Sequence, residues 1–311
     1  MAAVKLPLAL KKNVRDNFTN KIEELEERLS ADDCIGAPWK VAIEPTEIYP
    51  HAKEGSYGHT NLGLCLYSYV DDAISRLKSY RESSGAEAME QLNEICSGHT
   101  LTMALDESKK FNYCGVVVED DRNLKIVFSP GCLGVNIYDC LETSKLKDAL
   151  NSAPPTEGAG VLSFIAKGSI REKWDPNIEP VVEKIRKILD WPEMEVDPNW
   201  EEVFTALKTA KDDGDKGVRD DFEEVLGYMH VQYFDGFAGQ LEEQGFEDPD
   251  YREGIQAEVT AAKVVIRVID KLKERTYNEC EIEDGVLYLQ TTPKNWGANT
   301  YDCAKGLEHK L

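Results

Sequence analysis

The sequence lacks the short motifs that mark the common nucleotide-binding and hydrolytic sites. It contains no G-x-x-x-x-G-K-[ST] phosphate loop, no G-x-G-x-x-G, no G-x-S-x-G and no H-E-x-x-H. These absences weaken assignment to the standard nucleotide-binding proteins, hydrolases and metalloproteases. A membrane-spanning apolar run is also missing, and the apolar N-terminal stretch is interrupted by Lys5 and Pro7. We therefore expect a soluble cytoplasmic protein without a secretion signal.

Paired cysteine motifs are absent too, although the chain has 8 cysteines. They are scattered along the sequence, no two of them form C-x-x-C, and their spacing matches no zinc finger or zinc ribbon. Scattered thiols of this kind are typical of a reducing compartment. The sequence thus predicts free cysteines, no metal ion and no cofactor.

Basic residues are scarce relative to acidic ones. The 36 Lys and Arg residues face 58 Asp and Glu residues, which gives a formal net charge of -22. Such a surface repels nucleic acid and anionic membranes, so neither is expected as a partner. The acidity is uneven, at roughly -7 for residues 1–155 and roughly -15 for the remainder. It favours a protein partner of basic character, although the same charge also serves simply to keep a protein in solution.

The most informative feature present is an internal similarity between residues 121–140 and 284–303. At one constant offset, identical residue types recur: Asp121 and Asp284, Leu124 and Leu287, Pro130 and Pro293, Gly134 and Gly297, Asn136 and Asn299, Tyr138 and Tyr301, Asp139 and Asp302, and Cys140 and Cys303. Chance would give about one identity in such a window, so we interpret it as a duplication. The 311 residues then form two repeats, 1–155 and 156–311, joined by the breaker-rich linker at 152–160.

Hydrophobic periodicity predicts a mainly helical first repeat. Helical spacing favours helices at 18–33, 62–82 and 87–98, with a short strand at 40–43. The runs at 114–120 and 124–128 are β-branched and aromatic, and they form a hairpin pattern. A further helix is expected from Cys140 to Leu150, with Asp139 as its N-cap.

The second repeat follows the same plan. A short strand is expected at 161–166, a helix over 178–189 and a long central helix from Tyr251 to Tyr277. A second hairpin then turns at Asp284-Gly285, since Asp-Gly is a strong hairpin signal. The fold class predicted is α+β, with two homologous and mainly helical repeats that each carry a β-hairpin near the C-terminal end.

The repeated G-x-N-x-Y-D-C segment is the principal candidate binding site. It places an amide, a phenol, a carboxylate and a thiol within seven residues of each repeat, and the residues concerned are Asn136, Tyr138, Asp139, Cys140, Asn299, Tyr301, Asp302 and Cys303. A cysteine just after a helix N-cap would have a lowered thiol pKa and could act as a nucleophile. A purely structural role, with Gly and Asn in a turn and Cys as a small buried residue, explains the same pattern.

A second candidate is His59, in a loop that also contains His51, Tyr57 and Cys65. Histidine can act as an acid or a base near neutral pH. The spacing matches no known site, and the second repeat has no histidine there, so solvated loop histidines are the simpler explanation.

These observations favour a non-enzymatic binding or scaffold protein of the cytoplasm. It would engage a protein partner through its acidic surface or through the cleft between the repeats, as a monomer with pseudo-symmetry or as a dimer. The alternative is an enzyme whose cleft site uses the N-x-Y-D-C residues, in a cysteine-dependent reaction with His59 or His230 as the acid–base partner. No catalytic residue is assigned.

Overall fold

The computed structural model describes residues 5–154 and 160–311. The chain divides into two compact units, Met1–Ala159 and Gly160–Leu311. The boundary predicted at 155/156, and most of the predicted linker, lie outside the described residues. Each unit combines α-helices with one four-stranded mixed sheet.

The first unit has seven α-helices and four strands within its described residues. In chain order these are α1 Leu8–Asn17, α2 Ile22–Ser30, β1 Lys40–Ala42, α3 Pro45–Ile48, α4 Tyr57–Thr60, α5 Leu62–Ser84, α6 Ala86–Ile95, β2 Thr100–Leu105, β3 Cys114–Val118, β4 Leu124–Phe128 and α7 Thr143–Asn151. A single 3-10 turn, Ile137–Asp139, lies between β4 and α7.

The second unit has five α-helices and four strands. These are α8 Phe164–Ser169, α9 Ile178–Leu189, β5 Glu195–Asp197, α10 Trp200–Asp212, α11 Phe222–Glu243, α12 Pro249–Glu258, β6 Lys263–Val268, β7 Asn278–Glu283 and β8 Val286–Thr291. A π-helical turn, Ile170–Trp174, continues α8, and a 3-10 turn, Thr300–Ala304, follows β8.

The two sheets have the same strand order. The first is β1-β2-β4-β3 and the second is β5-β6-β8-β7. In both sheets the central pair and the short edge pair are parallel, and the hairpin pair is antiparallel. Both predicted hairpins are therefore present, and the second one turns at Asp284 and Gly285, which both have positive φ as a tight two-residue hairpin requires.

One long helix forms the centre of each unit. Helix α5 buries Leu66, Tyr69 and Leu77, and α11 buries Tyr233, Phe234 and Phe237. Apolar side chains occur on most sides of these helices, and each packs against other helices of its unit: α5 against α1, α2 and α6, and α11 against α8, α9 and α10. The central helices thereby present residues to the turns that follow β4 and β8.

Each central helix crosses its N-terminal neighbour at a glycine. The Gly63 N–H of α5 donates to Asn13 Oδ1 of α1 at 2.8 Å, and the Gly227 N–H of α11 donates to Ser169 Oγ of α8 at 3.0 Å. A Cβ added at Gly63 would lie 2.4 Å from the Asn13 carbonyl oxygen, and one added at Gly227 would lie 2.3 Å from that of Ser169. Only glycine permits backbones to pack this closely.

Several predicted elements differ from the structure. The predicted long helix Tyr251–Tyr277 is wrong, since α12 ends at Glu258 and β6 follows at Lys263–Val268. Ala262 takes a positive φ of 50°, and Ile266, whose spacing from Val259 and Ala262 predicted the helix, pairs with Leu289 of β8.

The strand predicted at 161–166 is also wrong. Helix α8 begins within this run, at Phe164. Ser163 Oγ accepts a hydrogen bond from the Ala166 N–H at 3.1 Å and caps the helix. Helix α1 and strand β2 were not predicted. The helix predicted within 18–33 is shorter and spans Ile22–Ser30. The helices near 62–82, 87–98 and 178–189 and the strand near 40–43 are confirmed.

We predict that Gly63→Ala and Gly227→Ala each lower the free energy of unfolding by about 1–3 kcal/mol, because the crossing helices must separate to admit a methyl group. Urea denaturation followed by circular dichroism measures this change.

Gly254→Ala on α12 is the matched control. The nearest atom to its added Cβ is 3.5 Å away in the Leu311 side chain, so the higher helix propensity of Ala should stabilise by up to about 1 kcal/mol. Equal stabilisation by all three substitutions would contradict the close helix crossings.

Candidate functional site

The first repeated turn follows β4 and leads to α7. Gly134 has φ 83°, and Asn136 lies in the left-handed region at φ 50° and ψ 45°. Glycine adopts positive φ without steric cost, and Asn tolerates it better than most residues. These two residues reverse the chain so that Ile137–Asp139 forms a 3-10 turn against α5.

A buried tyrosine hydroxyl fixes the start of this turn. The Gly134 N–H donates to Tyr69 Oη at 3.1 Å, and Tyr69 is fully buried on α5. Burial raises the pKa of Tyr69 far above its ordinary value, so the hydroxyl remains neutral. We call this hydrogen bond the tyrosine clamp.

Side chains from β3, α5 and α7 hold the carbonyl groups of the turn. Cys114 Sγ of β3 donates to Asn136 O at 3.1 Å, and Arg76 Nη2 of α5 donates to Tyr138 O at 2.8 Å. Lys145 Nζ of α7 donates to Asp139 O at 2.6 Å. The backbone is thus pinned along its whole length, which leaves the side chains to project from a fixed base.

The four candidate side chains of this turn have different environments. Tyr138 is 68% exposed and Asn136 is exposed, whereas Asp139 is half-buried. Cys140 is fully buried. The first three are therefore available to a ligand at the surface, and the thiol is not.

The second repeated turn is held by a second tyrosine clamp. The Gly297 N–H donates to Tyr233 Oη of α11 at 3.1 Å, and Asn299 again lies in the left-handed region. Here Asn278 Nδ2 of β7 donates to Ala298 O at 2.6 Å and to Asn299 O at 2.8 Å.

Its side chains are less free than those of the first turn. Tyr301 is 52% exposed, and its ring lies against α11, where a Cβ added at Gly239 would be 2.6 Å from Tyr301 Cε2. Asp302 lines a shallow pocket of about 260 Å³ together with Arg275 and Asn278. Cys303 is fully buried, and its Sγ donates to Tyr233 O at 3.3 Å.

The expectation of a thiol activated by a helix N-terminus is wrong. Cys140 follows the 3-10 turn, and α7 begins only at Thr143 after the N-cap position Glu142, because the turn carbonyls bind side chains and do not start an α-helix. Burial raises the pKa of Cys140 and of Cys303 well above the ordinary thiol value. Both thiols are protonated at neutral pH, which is the opposite of what a nucleophile requires.

His59 lies on the short helix α4 beside the start of the first turn. Gly58 packs directly on Leu133, where an added Cβ would be 2.6 Å from Leu133 Cγ. The His59 Nε2 atom is 3.1 Å from Tyr49 Oη, and the two rings stack at 5.2 Å. The structure thus places His59 near the turn, in contact with a tyrosine.

His230 lies in the core of the second unit. It is fully buried, its Nε2 is 2.9 Å from Pro198 O, and Trp174, Trp200 and Trp296 surround its ring. Burial lowers the pKa of His230 to about 4, so it is uncharged at neutral pH.

Asp72 is an acidic residue of α5 near the first turn that sequence reasoning missed. It is 8% exposed, its Oδ1 is 3.7 Å from Arg76 Nε, and its Oδ2 has no hydrogen-bond partner among the described residues. Burial raises its pKa, Arg76 opposes that shift, and Asp71 and Asp139 add to it. In the sequence, the signal that could have identified Asp72 is its position three residues after Tyr69, on the buried side of α5.

The second unit has Gly236 three residues after Tyr233. A Cβ added there would lie 2.5 Å from Thr300 O, so the second turn sits directly on its helix. The first turn faces a buried carboxylate at the matching position, and the two turns therefore differ in chemistry beneath a similar backbone.

Comparisons with protein-family models, with curated proteins and with solved structures give no match for this chain. Within residues 5–154 and 160–311, no three His, Cys, Asp or Glu side chains are grouped so that they could hold a metal ion. No described helix is long and apolar enough to cross a bilayer.

We predict that iodoacetamide at neutral pH modifies Cys132 in the folded protein more than about tenfold faster than Cys140 or Cys303, because Cys132 alone is partly exposed among the described cysteines. Peptide mass spectrometry over a time course gives the three rates. Denatured protein, in which all three should react alike, is the control. Fast, selective modification of Cys140 or Cys303 would contradict this prediction and would support the alternative of an enzyme with a cysteine-dependent reaction.

Proposed function

We propose that this chain is a cytoplasmic binding protein that engages a basic protein partner through its clamped turns. The net charge of -22 favours a positively charged partner, and exposed tyrosines supply contact area. The first turn is the main contact, with Tyr138 as its anchor and Asp139 beside it.

The observation that carries this proposal is the exposure of Tyr138 on a rigid base. The side chain is 68% exposed, while hydrogen bonds from α5, β3 and α7 hold the backbone around it. Tyrosine is enriched at interface positions that contribute most to affinity. A pre-organised turn also loses little conformational entropy when a partner binds.

Tyr301 is the weaker contact of the two. Its ring already packs on α11 beside Gly239, so less of its surface remains to be buried by a partner. The pocket that Asp302 lines also contains Arg275, whose charge opposes a basic ligand.

We also propose that the two units arose by duplication. Support comes from the shared strand order, from a tyrosine clamp in each unit and from a close helix crossing at Gly63 and at Gly227. After duplication, Asp72 and Gly236 would have diverged beneath the two turns.

We predict that peptides of about 15 residues rich in Lys and Arg bind the protein and that acidic peptides of equal length do not. Tyr138→Ala should weaken the tightest basic peptide by about five- to tenfold, because a central tyrosine contributes on the order of 1–2 kcal/mol at an interface. Fluorescence anisotropy with labelled peptides measures these affinities, and raising the salt from about 50 to about 300 mM should weaken them further.

Tyr251→Ala is the control for Tyr138→Ala and Tyr301→Ala, since Tyr251 is a 39% exposed tyrosine that lies on α12 and in neither clamped turn. Affinities that ignore salt, or that fall equally in Tyr251→Ala and Tyr138→Ala, would refute this function.

A further inference from the structure

One face of the first sheet forms a groove with a volume of about 480 Å³. Ala104 of β2 pairs with Val127 of β4, and with Val117 of β3 they form an apolar floor on that face. Ile48 of α3 also lines the groove. The rest of the lining is mostly polar and charged, so the groove combines an apolar floor with charged surroundings. Its volume lies in the range of small-molecule sites. We call it the sheet groove.

The strand directions separate the charged residues of the sheet groove into two ends. Glu119 follows β3, which is antiparallel to β4, so it lies at the opposite end from Asp106 and Glu107, which follow β2. Glu119 forms an ion pair with Lys125, whose Nζ is also 3.5 Å from Asp121 Oδ2. That end therefore has its own counter-charge.

The other end carries three carboxylates, from Asp106, Glu107 and Glu47, and His51 also lines the groove. Burial alone would raise the pKa of Asp106, but hydrogen bonds from Ser108 Oγ and the Phe111 N–H lower it, so Asp106 is ionised at neutral pH. The carboxylates of Glu47 and Glu107 also line the groove, and both residues are exposed. Within the described ranges, neither side chain makes a hydrogen bond or an ion pair.

In the second sheet, the corresponding face carries a cationic side chain, that of Arg267. Arg267 of β6 pairs with Gln290 of β8, as Ala104 pairs with Val127 in the first sheet. Its guanidinium lies 4.0 Å from the ring centroid of Tyr288 and donates to both oxygens of Glu283, at 2.7 and 2.8 Å. The first sheet has Ala104 at this position, and the face is correspondingly open.

We propose that the sheet groove binds a small organic amine with a linear apolar chain. The chain lies over Val117 and Val127, and the ammonium group is held at the end formed by Asp106, Glu107 and Glu47. Strand β4 spans roughly 16 Å at 3.3 Å per residue, which leaves room for a chain of about six carbons. The apolar floor selects the chain, and the carboxylates select the positive charge.

The test titrates n-hexylamine into the full chain and follows backbone amide resonances by NMR. Binding on the order of 1 mM is expected, with the largest shifts at Ala104, Val117 and Val127. Hexanoate, which has the same chain and the opposite charge, should bind at least about tenfold more weakly.

Glu107→Gln should weaken the binding of hexylamine about threefold, as expected for loss of a solvent-exposed charge pair. Glu90→Gln, an exposed carboxylate on α6, should leave the affinity unchanged.

Ala104→Arg provides a second variant, since it places in the first sheet the side chain that Arg267 provides in the second. It should abolish hexylamine binding if the groove is the site. Equal binding of hexanoate, equal effects of Glu107→Gln and Glu90→Gln, or shifts remote from the groove would each overturn the proposal. N-acetyl-lysine methylamide provides the remaining comparison, because binding as tight as that of hexylamine would assign the groove to a lysine side chain of a protein and refute the free amine.

Discussion

The structure depends on one recurring interaction, the hydrogen bond from a glycine N–H to a buried tyrosine hydroxyl. In each unit the tyrosine belongs to the long central helix, and the glycine begins the turn that follows the sheet. A buried polar hydroxyl is tolerated only when it is hydrogen-bonded, and a glycine amide in a left-handed turn needs an acceptor. The tyrosine clamp satisfies both groups, so it ties the helix to the end of the sheet.

The positions of the candidate residues follow from that constraint. With Gly134 fixed, the short 3-10 turn directs Tyr138 outward and the Cys140 thiol inward. The same alternation in the second unit exposes Tyr301 and buries Cys303. Asp72 and Gly236 occupy matching positions beneath the turns, so the first turn rests over a buried carboxylate and the second rests on helix backbone. The two surfaces can therefore differ in specificity although their backbones are held in the same way.

The sequence allowed prediction of elements with a strong local pattern. The hairpins were recognisable from β-branched runs and from Asp284-Gly285, and α5, α6 and α9 from helical spacing. Strand β6 was missed because Val259, Ala262 and Ile266 also fit a helical spacing, and only pairing with β8 decides between the two structures. The state of Cys140 could not be predicted either, because its burial depends on contacts with distant elements. The candidate turns were identifiable from their internal similarity, but the clamp tyrosines, Asp72 and the sheet groove required the three-dimensional arrangement.

Tyr69→Phe tests the central role of the clamp most directly, with hydrogen exchange at the Gly134 amide and the free energy of unfolding as the two measurements. Loss of the hydroxyl leaves the part-buried Gly134 N–H without its acceptor, so the free energy of unfolding should fall by about 1–3 kcal/mol and exchange across the first turn should accelerate. Tyr67→Phe is the matched control on the same helix, because within the described part of the chain the only hydrogen bond of its hydroxyl is accepted from Arg28 at 3.4 Å. If Tyr69→Phe proves as stable as Tyr67→Phe and the Gly134 amide remains equally protected, the clamp does not hold the turn, and this account is contradicted.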